Sequence, residues 1–252
     1  MASITTVVLV IANAVAVYGW TPLGIGVAYE DYGYGKNVLI CYGGYGVTDT
    51  LARHWADRLV THSDLKTLAV GKIYAVKGPQ DPSYNAKEIS NSKLVQHLLT
   101  NQRPGFVAVV AHSSGTFVAN EFFSQLVAND INRQFDQKLV YYNLDGAGGP
   151  YGNALSMLRK EYFVYARMGS VYSMNANSMK SNGRGDQLIE LDGSESHCQN
   201  SRCLHDVMII HHPWSSTRFD VGRDYSLFAL GDREVQSAYI SQTVSLLSAM
   251  RD

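Results

Sequence analysis

From Asn37 onward, short apolar runs rich in β-branched and aromatic residues alternate with longer segments whose apolar residues recur at helical spacing. The runs are VLICY (38–42), LAVGKIYAV (68–76), FVAVVAH (106–112), KLVYYNL (138–144) and YFVYAR (162–167), with QLIEL (187–191) as a further candidate. Between them lie TDTLARHWADRLV (48–60), AKEISNSKLVQHLL (86–99) and TFVANEFFSQLVANDI (116–131), and the stretch 233–250 also reads as a helix. Parallel strands need a crossover long enough to bring the chain back to the same edge, so this alternation predicts a parallel sheet. The expected class is therefore α/β, with a mostly parallel central sheet, helices on both faces and no large cap domain. The stretch from Gly148 to Asn200, richer in Gly, Asn, Ser and Met and without clean periodicity, is expected to contribute surface loops near the carboxyl edge of that sheet.

Nothing in the pattern divides the chain in two. With 252 residues, 46% of them hydrophobic and 17% charged, one domain over 20–252 can bury a sizeable core. A net charge of −1 and the lack of a basic run argue against nucleic acid as a partner. Residues 1–19, MASITTVVLVIANAVAVYG, carry an uncharged apolar core from Thr6 to Val17 and small residues at which processing is expected, after Ala16 or Gly19. They read as a signal peptide and predict a secreted protein with no stable membrane span once mature, the apolar stretch being too short to cross a bilayer. A buried first strand or helix is the competing reading, since no Lys or Arg precedes the apolar core. Cys198 and Cys203 enclose QNSR in a polar loop that an oxidising compartment would allow to close as a small disulfide, with two free thiols as the alternative. Cys41, inside NVLICY, is expected to be a buried, unpaired thiol.

The turn VAHSSGT (110–116) sits between an apolar strand and an amphipathic helix. A nucleophile on such a strained turn needs small residues two positions before and after it. Ala111 and Gly115 flank Ser113 in this way, whereas Ser114 is flanked by His112 and Thr116. Ser113 is thus the candidate nucleophile, and Ser114 supplies a backbone N–H facing the oxyanion. A plain helix-capping turn is the alternative. On these residues the chain from about Asn37 to its end resembles the α/β-hydrolase fold family, although Ala111 replaces the first glycine of G-x-S-x-G.

The resemblance implies a serine hydrolase, and it extends to two further motifs. NLDGAGGP (143–150) looks like the segment that carries the acid in lipases of the pancreatic lipase and phospholipase A1 type, with Gly146 in place of a proline, which implies Asp145 as the acid. Asp186 and Asp192, one strand later, are the substitutes, and a turn-forming role is the plainer reading of Asp145. Cys203-x-His205 resembles the histidine loop of the same lipases, which implies His205 as the base, with His197, His211 and His212 also placed after the acid. The loop CYGGYGV (41–47) is similar to their H-G-F loop, with Gly44-Tyr45 standing for G-F and the histidine absent, so the Tyr45 N–H is the expected second oxyanion donor. Gly44 and His112, beside the two donors, are the expected substrate-binding residues.

No cofactor or metal is expected, because the His211–His212 pair lacks a third ligand three or four residues away. The substrate expected from this set is a small-molecule or lipid carboxylic ester. Met157, Leu158, Met168, Met174 and Met179, with Tyr151, Tyr162 and Tyr172, are either a pocket lining or, more commonly for such residues, core. Peptide, thioester or lactone cleavage, a lyase reaction, or a catalytically silent binding protein on the same fold are the alternatives.

Overall fold

The structure, a computed structural model, describes residues 19–61, 66, 69–81, 83, 85–100, 105–146, 152–166 and 188–191. Eight strands form one sheet in the order β1-β2-β4-β3-β5-β6-β7-β8. They are β1 (Thr21–Gly24), β2 (Val27–Asp31), β3 (Asn37–Tyr42), β4 (Val70–Val76), β5 (Val107–His112), β6 (Leu139–Leu144), β7 (Leu158–Ala166) and β8 (Leu188–Leu191). The helices are α1 (Asp49–Thr61), α2 (Asn91–Thr100), α3 (Gly115–Asn129) and α4 (Asn153–Met157). β1 and β2 pair antiparallel, β2 runs antiparallel to β4, and every pairing from β4 through β3, β5, β6 and β7 to β8 is parallel. The mostly parallel sheet expected from the sequence is the one observed.

Alternation along each strand divides the core into two layers. Val38, Ile40 and Tyr42 of β3, Val107, Val109 and Ala111 of β5, and Leu139 and Tyr141 of β6 pack with Leu94, Val95 and Leu98 of α2 and with Val118, Phe122, Phe123 and Leu126 of α3. The alternate residues Leu39, Cys41, Ala108, Val110, Val140 and Tyr142 are also buried and lie on the opposite face. α1 packs against β3 and β4 there, burying Ala52, Trp55 and Ala56 at the spacing of one helix face. Helices therefore lie on both faces. Cys41 is a buried free thiol, as its position inside an apolar strand predicts.

Several boundaries differ from those read in the sequence, each for a local reason. The β1–β2 hairpin was not foreseen: Pro22, Gly24 and Gly26 break the strand pattern, and Gly26 turns the chain at φ 70. β4 begins at Val70 because Ala69 occupies a left-handed turn at φ 51. α2 begins at Asn91, not Ala86, because Ser90 is held by the hairpin: its N–H donates to Ile25 O at 2.9 Å and its Oγ accepts from Ile25 N at 2.9 Å. α3 stops where Asp130 accepts from the N–H groups of Gln134 (2.8 Å) and Phe135 (2.9 Å). Within 148–200, where surface loops are expected beside the strands, the described residues include α4, β7 and β8, and Glu161 of β7 is buried despite its charge.

Among the described residues, no helix is long and apolar enough to cross a membrane. The stretch read as a signal peptide, up to residue 18, lies outside the described residues.

Candidate active site

The parallel register brings the ends of β3, β5 and β6 to one edge of the sheet. Tyr42 pairs with Ala111, and His112 pairs with Leu144, so the residues that follow, Gly43, Ser113 and Asp145, emerge side by side. Neighbouring strands are about 4.8 Å apart, which puts the three following turns within contact of one another.

Ser113 lies between β5 and α3 at φ 52, a conformation an L-residue adopts only where its surroundings enforce it. Those surroundings can be named. Its N–H donates to Leu144 O at 3.0 Å, and its carbonyl accepts from Thr116 N (3.2 Å) and Thr116 Oγ1 (2.8 Å). The glycine two positions after Ser113 is explained by crowding: a Cβ on Gly115 would meet the carbonyl oxygens of Gly43 and Tyr42. Ala111 and His112 are wholly buried, while Ser113 keeps 7% of its surface exposed. Ser114, the N-cap of α3, makes no side-chain cap bond, and its buried Oγ has no hydrogen-bond partner among the described residues. Its backbone stands at the N-terminus of α3, a place where helix N–H groups favour negative charge.

The loop after β3 reaches over this turn. A Cβ placed on Gly44 would lie 2.8 Å from His112 Nδ1 and 3.1 Å from Ser113 Cβ, so the Gly44 backbone rests directly on the serine turn. Val47 N–H closes a turn onto Gly44 O at 3.1 Å, with Tyr45 and Gly46 at its corner and Gly46 at φ 77, the left-handed value this turn assigns to glycine. A second segment braces the loop from behind. Gly46 N–H donates to Pro79 O, Gly78 N–H to Val47 O, and the Gln80 side-chain amide to both Val47 O (3.0 Å) and Gly78 O (2.8 Å). Of the expected oxyanion and substrate residues, Gly44 rests on His112 and Ser113, Ser114 follows Ser113 in the chain, and Tyr45 follows Gly44 at the corner of its turn.

Asp145 follows β6, is completely buried, and is also left-handed at φ 48. The turn it occupies is closed by Asn143, whose Oδ1 accepts from Gly146 N–H at 2.7 Å. Sequence reasoning passed over Asn143 and Thr116. Asn143 left no local signal, because an Asn side chain ordinarily closes its own turn two residues on, whereas this bond spans three. His205, its alternatives His197, His211 and His212, the substitute acids Asp186 and Asp192, and the Cys198–Cys203 pair lie outside the described residues. So do Met168, Met174, Met179, Tyr151 and Tyr172. Of the residues considered for a pocket lining, Met157 is core, Leu158 packs against that core, and Tyr162 stacks on Tyr142 with ring centroids 5.0 Å apart. Among the described residues no His, Cys, Asp or Glu cluster could hold a metal ion.

The strand order, the parallel run from β4 to β8 and a left-handed serine turn between β5 and α3 define an α/β-hydrolase fold. No family model matches the chain, and no curated protein sequence is similar to it. Among solved structures it is similar to a serine hydrolase involved in carbazole degradation (CarC enzyme), at 16% identity and a TM-score of 0.33, covering 52% of this chain and 49% of that one. It is also similar to a thermophilic esterase from Thermogutta terrifontis, at 13% identity and a TM-score of 0.31, covering 87% of this chain and 66% of that one. The chain therefore spans about half the length of the first of these structures.

Proposed function

We infer that the chain is a secreted serine hydrolase that cleaves carboxylic esters through a Ser113–His205–Asp145 triad. The observation that supports this most is the meeting of three turns: the Ser113 turn at φ 52, the Gly44 backbone resting on it, and the buried Asp145 at the end of the adjacent strand. In this reading His205 takes the proton from Ser113 Oγ as the oxygen attacks the ester carbonyl carbon. The negative charge passes to the carbonyl oxygen, which the N–H groups of Tyr45 and Ser114 receive, and Asp145 stabilises the imidazolium. Collapse of the adduct expels the alcohol, to which His205 returns the proton. Water, deprotonated by the same imidazole, then releases the acid from Ser113.

The substrate side is a small-molecule or lipid ester with an apolar acyl group, a reading supported by the serine turn (110–116) and the Gly44 loop (41–47), neither of which carries an Asp, Glu, Lys or Arg. The test is labelling of the protein with a fluorophosphonate, together with turnover of p-nitrophenyl esters of increasing acyl length. Labelling and turnover that are lost in Ser113→Ala, with turnover also lost in His205→Ala, are the expected result. Absence of Ser113-dependent labelling in the wild type overturns the proposal. N-terminal sequencing of protein recovered from culture medium, expected to begin at Val17 or Trp20, tests secretion and processing.

A further inference from the structure

We propose that Asn143 is a positioning residue for the acid, holding the Asp145 turn in one orientation and, with Thr116, seating that turn on the nucleophile turn. The inference rests on the triad reading above and concerns residues that the triad itself does not include. Ser113 and Asp145 both stand at left-handed φ, 52 and 48, at the ends of adjacent parallel strands. Two such turns side by side are held by their contacts, because neither conformation is favoured by the residue that adopts it.

The contacts converge on Gly146. Its N–H is taken by Asn143 Oδ1 at 2.7 Å, which closes the turn directly across Asp145. A Cβ at Gly146 would collide with Thr116 Cγ2 and lie 2.7 Å from Ser113 O and 2.8 Å from Asn143 Oδ1, so the backbone of the acid turn touches the nucleophile turn with no side chain between. From the other side, Thr116 Oγ1 donates to that same Ser113 O at 2.8 Å. Asn143 is 2% exposed and Thr116 wholly buried, so water does not replace either bond easily. Asn143, Gly146, Thr116 and Ser113 form a latch that ties the direction of the Asp145 carboxylate to the position of Ser113 Oγ.

The latch has a kinetic signature that general stabilisation lacks. A carboxylate aligned with the imidazole favours the imidazolium, so the base titrates higher than it would alone. If the carboxylate slips, the base titrates lower, and the acidic limb of kcat/KM moves to lower pH. Misplacement of a catalytic group by about 1 Å costs roughly 100-fold in rate. Asn143→Leu, which removes the acceptor, is therefore expected to lower kcat per fluorophosphonate-labelled site by up to about 100-fold. KM should change little, and the acidic limb should move down.

Asn143→Ser, which keeps a weaker acceptor at the same turn, is expected to restore part of the rate and of the limb. Thr116→Val, which removes the bond to Ser113 O, is expected to act in the same direction, and the double variant to lose less than the product of the two single losses, because both loosen the same pair of touching turns. Normalising to labelled sites removes any loss of folded protein. If Asn143→Leu does not fold, the comparison of Thr116→Val with Thr116→Ser, which keeps the hydroxyl, carries the same test. An unchanged kcat per labelled site, an unmoved pH limb or no restoration by the serine variant overturns the latch while the wild type remains an active hydrolase. A wild type without Ser113-dependent turnover overturns the triad reading as well.

Discussion

Replacing Gly44 by alanine should separate stability from catalysis in a measurable way. Gly44 lacks a left-handed φ, so the obstacle to a side chain there is space alone. The added methyl would lie 2.8 Å from His112 Nδ1, 3.1 Å from Ser113 Cβ and 3.3 Å from His112 O, where ordinary contact is 3.4–4 Å. His112 is wholly buried and Ser113 is held by bonds to Leu144 and Thr116, so the serine turn resists displacement. The loop carrying Gly44 and Tyr45 has to withdraw instead, against its ties to Pro79 and Gln80.

Crowding of this kind costs about 1–3 kcal/mol of stability. For a chain of this size that corresponds to a fall in Tm of roughly 2–4 °C per kcal/mol. Withdrawal of the Tyr45 N–H costs the reaction one oxyanion donor, about 2.7–4 kcal/mol or roughly a 10²- to 10³-fold loss in kcat. The assay pairs thermal unfolding with kcat on a p-nitrophenyl ester at saturation. A variant that melts a few degrees lower but turns over at the wild-type rate would refute the placement of the oxyanion donor on this loop.

Other expectations follow from buried polar groups away from the site. Asn91 is fully buried and bridges two helices and the sheet, accepting from Tyr42 Oη at 3.1 Å and donating to Val118 O at 3.0 Å; Asn91→Leu should cost about 1–3 kcal/mol by chemical denaturation, with kcat of the folded fraction unchanged. His97, half-buried beside Tyr74 Oη at 3.0 Å, titrates below its ordinary value because of burial first and the Lys72 ammonium second. The neutral ring is thus favoured by folding, so its contribution to stability is full above about pH 6.5 and is lost as pH falls from there through the lower folded value. His97→Gln should flatten that part of the stability–pH profile, and a ring titrating by NMR at or above its unfolded value would refute it. Burial, and then the Asp57 carboxylate, push the Cys41 thiol well up, so alkylation mapped by mass spectrometry at neutral pH should leave Cys41 unmodified until the protein unfolds.

The parts of the fold that were legible in the sequence are those whose physics is local. VLICY and FVAVVA are apolar at every position because both faces of a central parallel strand are covered, and they became the bodies of β3 and β5 almost to the residue. The serine turn was legible for a similar reason: crowding by Gly43 O and Tyr42 O acts on a position fixed relative to Ser113, so it leaves Gly115 as its trace. β1 and β2 left no such trace, since β2 is stabilised by β4, distant in sequence, and its hairpin partner β1 carries Pro22 and Gly24. The first half of β7 was hidden by Arg159, Lys160 and Glu161, which read as a solvated loop; Lys160 and Glu161 pair with Val140 and Tyr141 of β6, and Arg159 falls at a register shift.

The site shows where local reading stops. Gly44, Gly115 and Gly146 belong to three different loops, and in the sequence each is only a flexible residue. In the folded chain each marks a surface on which another backbone rests: Gly44 on the serine turn, Gly115 on the end of β3, Gly146 on Ser113 and Thr116. The described part of the candidate site is therefore assembled by backbone against backbone at the ends of β3, β5 and β6, and Ser113 and Asp145 are carried by that contact. It follows that small substitutions at these glycines should disturb turnover more than stability. At positions of equal burial in the helix layer, such as Leu94 or Leu126, the order should reverse, with cavity-forming substitutions costing about 2–5 kcal/mol of stability and leaving the turnover of folded molecules intact.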